Sequence, residues 1–220
     1  MGKRGGTKHL KRYAAPKLYD IPRKEKKFLT RPLPGKKNSM PISLVLRKFY
    51  KTNKEIKKIL NSRTVKVDGK IVTEPKYPVA LMDVVSIGDK HYRILINKYG
   101  KYTIEECKEP SIKVCRVENK TRSKKNKIIL TLHDGRNVEY DANIFDSLVI
   151  SIPEKKVIEK INLKPNSQCL ITGGKWIGYK GVIKNVDEKT KTVTITTDGI
   201  EITTHKRYVF PISKAISEVA

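Results

Sequence analysis

The sequence predicts a multi-module protein, α+β near its start and mostly β beyond, and three observations carry that reading. The chain has 220 residues, more than one typical domain, yet only 38% are hydrophobic, so several modules with thin cores fit better than one large core. A helical apolar period occurs only between about residues 41 and 62, and the rest of the chain beyond it is a series of short alternating runs divided by turn residues. Finally, 48 Lys plus Arg against 22 Asp plus Glu give a formal net charge of +26, which opposes compaction unless a polyanion neutralises it. A nucleic acid is the expected polyanion.

An acidic membrane is the competing polyanion, but no run approaches the roughly 18 apolar residues of a spanning helix, and no signal-peptide core follows the N-terminus. Cys107, Cys115 and Cys169 leave one thiol over in any disulfide scheme and form no CxxC pair, so they are expected to be small buried apolar residues without a metal.

Residues 1–41 hold thirteen Lys or Arg against Asp20 and Glu25. Pro16, Pro22, Pro32, Pro34 and Pro41 break any long helix and no apolar period persists, so the segment reads as a basic extended arm that orders on RNA. A solvated tail is the plainer reading. The interleaved Leu10, Tyr13, Leu18, Tyr19, Phe28 and Leu29 speak against it, because apolar and aromatic residues between cations can stack on bases while the cations meet phosphates. Lys3, Arg4, Lys8, His9, Lys11, Arg12 and Lys17 are the candidate RNA contacts here.

From Pro41, suited to a first helical turn, Ile42, Val45, Leu46 and Phe49 recur on one helical face. Thr52 and Glu55 form a capping box for a second helix that runs to about Ser62, with Ile56, Ile59 and Leu60 inward and Lys54, Lys57 and Lys58 outward. Such a lysine face is ordinarily just solvated. A hairpin comes next, Thr64–Val67 and Lys70–Val72 about Asp68-Gly69, a pair suited to a type I′ turn. Two short helices and a hairpin would gather their cations, with Arg63, Lys66 and Lys70, into one phosphate-binding surface.

Residues 91–165 read as all-β, with strands at 91–96, 101–105, 112–117, 127–132, 137–140, 148–152 and 157–163. Glu118–Asn126 is expected to be a basic loop, and its Lys124 and Lys125 are candidate RNA contacts at even odds with mere surface solubility. In the last module Gly173, Gly174, Gly178 and Gly181 lie between strands, where glycine permits positive φ and close approach of another backbone. The plainer reading is a tight loop in a small barrel, which is compatible with binding.

Catalysis finds no support. His9, His91, His133 and His205 are scattered, no metal-ligand spacing is present, and neither a GxxxxGK[ST] loop nor a GxSxG elbow occurs. Asp83 and Asp146 read as strand-end and turn residues.

The order of these features resembles the archaeal and eukaryotic S4e family of small-subunit ribosomal proteins. The resemblance rests on Lys8-His9-Leu10-Lys11-Arg12-Tyr13-Ala14-Ala15-Pro16-Lys17, Met40-Pro41-Ile42 to Leu46-Arg47, Val65 to Lys70, Tyr77 to Ile87, and Thr172-Gly173-Gly174, collinear over nearly the whole chain. It implies an arm at 1–41, an S4-type (αL) RNA-binding domain at 42–89, a family-specific central β domain at 90–165, a KOW small β-barrel at 166–210 and a tail at 211–220. It also assigns phosphate contacts to Arg47, Lys48, Lys54, Lys57, Lys58, Arg63, Lys66 and Lys70, and carries the barrel's role to Gly174, Lys175, Gly178, Lys180, Gly181 and Val182. The chain departs from the family pattern by a shorter stretch between Arg47 and Glu55 and by ending at Ala220, without the basic extension of many eukaryotic members.

The resemblance thus implies a non-enzymatic constituent of the small ribosomal subunit, without cofactor, metal or small-molecule substrate. Its partners would be small-subunit rRNA and neighbouring ribosomal proteins. Its place would be the cytoplasmic ribosome, with nucleolar assembly in a eukaryote. Two alternatives are an RNA-modifying enzyme anchored by an αL module, which needs a separate catalytic domain, and a KOW-type transcription factor, which needs stable association with RNA polymerase.

Overall fold

The structure is a computed structural model that describes residues 7–107, 109–123, 126–154, 156–197 and 199–213. In the N-terminal segment β1 (Leu10–Lys11) pairs antiparallel with β2 (Phe28–Leu29). Between them the Arg23 guanidinium donates to the carbonyls of Arg12, Ala15 and Pro16, satisfying backbone that no helix or sheet could serve. Ala15 and Tyr19 are buried in the main apolar core, and the Tyr19 hydroxyl donates to the Ser39 carbonyl. The expectation of an arm without a core is therefore corrected from residue 7 onward: Leu10, Ala15, Leu18, Tyr19 and Leu29 pack on the chain's own body, while Tyr13 and Phe28 stay exposed.

β3 (Met40–Pro41) leads into α1 (Ile42–Leu46), with Pro41 at the N-cap and Ile42, Val45 and Leu46 buried. The helix stops after one turn and a half, so Phe49 lies past its end and rests on the Tyr92 ring, 4.7 Å between centroids. In α2 (Asn53–Asn61) both halves of the Thr52–Glu55 capping box form, and Ile56 and Leu60 are buried with Ile59 partly so. β4 (Val65–Val67) and β5 (Lys70–Ile71) make the expected hairpin, and Asp68 (φ 48°) and Gly69 (φ 76°) have the two positive φ values of a type I′ turn.

β6 (Pro78–Val79) pairs with β3. β7 (Val84–Ile87), β8 (Lys90–Ile96) and β9 (Tyr102–Glu106) complete a five-stranded antiparallel sheet of order β5-β4-β7-β8-β9. Hydrogen bonding from Val84–Arg93 to Ile87–Lys90 carries that sheet through the expected division at 89/90, which is thus no break in the fold.

The central sheet has the order β12-β11-β10-β13-β14, formed by β10 (Ile112–Arg122), β11 (Ile128–Leu132), β12 (Asn137–Glu139), β13 (Ser147–Ser151) and β14 (Val157–Ile161). The first half of β10 pairs with β13 and its second half with β11, the register shifting between Val117 and Asn119. Glu118–Arg122, expected in a loop, therefore continue a strand: the change of partner at a bulge, not a loss of pairing, breaks their alternation.

The last sheet, of order β18-β17-β16-β15-β19, comprises β15 (Gln168–Ile171), β16 (Lys180–Asp187), β17 (Thr192–Thr197), β18 (Ile200–His205) and β19 (Val209–Pro211). It and the central sheet each have a private core, about Ile183, Val193 and Ile195 in one and about Cys115, Leu130 and Leu148 in the other. The largest core is shared: Tyr19 of the N-terminal segment, Val114 and Val149 of the central sheet, and Leu170 and Phe210 of the last sheet all join it. The modules are sequence units, but they bury one common interior.

Candidate nucleic-acid interface

Of the residues assigned to RNA contact, Lys54, Lys57 and Lys58 on α2 and Arg63, Lys66 and Lys70 about the hairpin are all exposed. Amphipathicity places them so: burying Ile56 and Leu60 turns the intervening lysines to solvent. Val65 and Val67 point inward and force Lys66 out, by the two-residue period of a strand. Arg47 and Lys48 are exposed too, with Arg47 donating to Asn53 Oδ1 at 2.8 Å and Lys48 lying 3.5 Å from Asp20. Lys8, His9, Lys11 and Lys17 are exposed, as are Gly174 and Lys175.

Two assignments change. Arg12 is only 3% exposed; its guanidinium donates to the Pro22 carbonyl at 2.6 Å and lies 3.3 Å from Glu25, so it builds the N-terminal segment and is not free for phosphate. Lys180 is half-buried, and burial pushes its ammonium below the usual lysine range despite the opposing pull of Glu105. Lys3, Arg4, Lys124 and Lys125 lie outside the described residues.

The sequence reading missed a buried charge cluster. Lys113 Nζ, inaccessible to solvent, lies 2.6 Å from Asp83 Oδ1, 2.8 Å from Asp68 Oδ2 and 3.0 Å from Asp134 Oδ2. Lys36 pairs with Asp83 and, at 3.5 Å, with Asp68, while Arg136 pairs with Asp68 and, at 3.1 Å, with Asp134. Three cations and three carboxylates thus balance, drawn from the N-terminal segment, the first sheet and the central sheet.

Burial alone would raise the Asp83 and Asp134 carboxyls. Lys113 and Lys36 together outweigh it at Asp83, and Lys113, His133 and Arg136 together at Asp134, so that Asp83 lies below the usual carboxylate range and Asp134 falls to about 2. Reciprocally, the carboxylates led by Asp83 overcome the burial of Lys113 and hold its ammonium well above the usual lysine value.

This cluster reassigns the Asp-Gly turns. Asp83 is still a turn residue, its Oδ2 accepting from the Ala80 amide at 2.8 Å, and Asp146 accepts from the Asn143 and Leu163 amides at 3.1 and 3.0 Å. A Cβ added at Gly69 would come within 3.0 Å of Pro153, and one at Gly135 within 2.9 Å of the Gly35 carbonyl. The Asp68-Gly69 tip therefore docks on the central module, leaving only the hairpin's flanks for RNA. Asp198 of the third Asp-Gly pair lies outside the described residues.

A second junction joins the β8–β9 turn to the glycine-rich loop. Gly178 has φ +84°, and any side chain there would overlap the Asn97 carbonyl; its freedom serves a contact within the chain. Beside it Trp176 meets Tyr179 edge-on at 5.6 Å, with Lys175 over Trp176 and Lys98 over Tyr179 at 5.2 and 5.5 Å. Tyr99, at the tip of the turn, is 87% exposed. Arg116 ties the central sheet to the last one, donating to the carbonyls of Arg207 and Val209 at 2.8 and 3.1 Å while pairing with Glu118.

Comparison with known proteins fits this geometry. Residues 88–157 match the model described as Ribosomal family S4e, residues 42–85 the S4 domain, and residues 4–35 the RS4NT (NUC023) domain. The chain is 37% identical over 235 aligned residues to the small ribosomal subunit protein eS4 of Methanocaldococcus jannaschii, covering 96% of each chain. It is 34% identical to the protein of the same name from Archaeoglobus fulgidus, covering 96% of this chain and 95% of that one. The crystal structure of the 30S ribosomal protein S4e from Thermoplasma acidophilum superposes with a TM-score of 0.71 at 32% identity, covering 81% of this chain and 96% of that one. Similarity at this level along almost the full length, with the S4 match falling on the helix pair and hairpin that expose the lysine face, places the chain in the ribosomal S4e family.

Proposed function

We propose that this chain is a structural constituent of the small ribosomal subunit, binding and organising small-subunit rRNA. The observation that carries the reading is the exposed cationic surface of α2 and its hairpin within the S4 match, in a chain whose relatives over 96% of its length are named small ribosomal subunit proteins. Lysines there replace the counterions condensed on RNA phosphates, while the modules, locked to one another by the buried charges and the shared core, hold the contacted RNA helices in fixed relation. The β15–β19 sheet, with its Thr172-Gly173-Gly174 loop, is the KOW-type barrel of this reading.

Such a protein works on the ribosome in the cytoplasm, beside other small-subunit proteins. Neither a modifying enzyme nor a transcription factor finds a counterpart among these relatives. Sucrose-gradient fractionation with high-salt washing tests the proposal: the chain should travel with small subunits, and co-migration with RNA polymerase, or release from subunits by a mild wash, would overturn it.

A further inference from the structure

The central sheet and the last sheet leave between them an open cleft of about 680 Å³, within the size range of small-ligand sites. One wall is the turn before β13, where the half-buried Phe145 lines the cleft. The other is one end of the last sheet, where Lys191 of the β16–β17 turn and Lys206 and Arg207 after β18 line it. The Lys206 amide donates to the Lys191 carbonyl at 2.9 Å, so the backbones that carry the two lysines lie side by side.

Charge and shape together restrict the occupant. Lys191 and Arg207 are exposed and Lys206 is half-buried, and none of the three makes an ion pair among the described residues. Two carboxylates share the cleft, but Glu118 is taken by Arg116, so Glu188 alone opposes three cations. His205 adds a donor: its Nδ1 accepts from the Arg207 amide at 3.1 Å, which leaves the N–H of the neutral ring on Nε2. Cations at a turn are ordinarily only solvated, and an acidic peptide would meet them as well as a phosphate does. Phe145 decides between these readings.

Phe145 has φ 76°, a left-handed backbone that a bulky residue seldom adopts. The turn holds it there, its amide donating to the Val117 carbonyl at 3.0 Å while Asp146 Oδ2 accepts from the Asn143 amide at 3.1 Å. Backbone of this kind persists where its surroundings over-determine it, and it gathers at ligand sites. An acidic peptide offers the ring no plane. A nucleotide joins an anionic phosphate to a neutral planar base, the pair that three cations beside an aromatic ring complement. We propose that this cleft seats one unpaired nucleotide of the rRNA, its phosphate on Lys191, Lys206 and Arg207 and its base against Phe145. The proposal rests on the ribosomal reading and adds to it a second RNA-binding face, on modules other than the one that carries α2.

The test uses the full chain and a transcript of small-subunit rRNA, with affinity measured by filter binding across a salt series. Lys191→Gln/Lys206→Gln/Arg207→Gln should lower the slope of log affinity against log salt by about one, as for one lost phosphate contact. That loss should add to the loss from the lysines of α2, because the two faces share no residue. Phe145→Leu should bind about fivefold more weakly or worse at an unchanged slope, the low end for base stacking, and Phe145→Tyr should keep the affinity. An unchanged slope in the triple variant, or equal affinity for Phe145→Leu and the unmodified chain, overturns the proposal.

Should a variant fail to fold, ultraviolet crosslinking of the unmodified chain to the transcript asks the same question: an RNA adduct on Phe145 supports the site, and adducts confined to α2 and its hairpin sink it. Variants that bind RNA normally yet are lost from assembled subunits would give the cleft to an acidic segment of a neighbouring protein, and the inference falls. If the unmodified chain does not bind the transcript at all, the ribosomal reading itself fails, which is a distinct result.

Discussion

Lys113 Nζ lies 2.6 Å from Asp83 Oδ1, and solvent reaches neither side chain. Two sheets meet at this contact. Asp83 stands at the turn before β7 and Lys113 near the start of β10, so the ion pair fixes how the central module sits on the first. Burying charges is costly, and here the cost is offset only because each group has more than one partner of opposite sign.

Removing one member should therefore be worse than removing a surface ion pair. Lys113→Met leaves Asp68, Asp83 and Asp134 facing one another with only Lys36 and Arg136 to balance them, and we expect a loss of about 3–5 kcal/mol in urea unfolding. Lys127→Met, which breaks an exposed pair with Glu139, should change stability by less than about 1 kcal/mol. Equal effects would show that the cluster is not the junction described here.

Acid should weaken the fold in two stages. Burial depresses His133, so its neutral form is favoured in the fold; the stability this confers is present above the ordinary value of about 6.5 and declines as pH falls below it. Asp134 falls from an ordinary 3.8 to about 2, so its contribution is present above 3.8 and is lost as pH drops toward 2. Chemical denaturation from pH 8 to pH 2 should show both declines, and His133→Gln should remove the first.

Gly178→Ala should cost about 2–4 kcal/mol, combining a left-handed backbone unfavourable to alanine with overlap on the Asn97 carbonyl. Gly88→Ala shares a positive φ but meets nothing within 4 Å and should cost only about 1 kcal/mol. The difference in melting temperature between the two isolates the inter-module contact.

The N-terminal segment should resist protease in the free protein from about residue 7, because Tyr19 and Lys36 anchor it to the body. Lys36→Met should open it to trypsin at Arg23, Lys24, Lys26 and Lys27 without unfolding β15–β19. Rapid cleavage at these positions in the unmodified chain would restore the extended-arm reading.

On RNA, Lys54→Gln/Lys57→Gln/Lys58→Gln should reduce the slope of log affinity against log salt by about two, as expected for loss of two or three phosphate contacts. Arg12→Met should leave that slope unchanged, since Arg12 is committed to Pro22 and Glu25. A filter-binding series at several salt concentrations decides between them.

Local rules made much of this protein legible in its sequence. The Thr52–Glu55 box, the Asp68-Gly69 turn and the inward stripe of α2 depend on neighbours within a few residues, and the structure bears them out. Where the rule needed a distant partner it failed. Phe49 left the helical face because α1 ended early, and Glu118–Arg122 stayed in a strand because β10 changes partner at its bulge.

The +26 net charge is a property of composition and was fixed before folding; which cations remain for RNA was not. Lys36, Arg12 and Lys113 are as basic in the sequence as Lys54 or Lys57, yet tertiary structure buries the first three against carboxylates and leaves the others in water. Charge is written residue by residue. Desolvation and pairing arise only when segments more than forty residues apart, such as those bearing Asp68 and Lys113, are brought together.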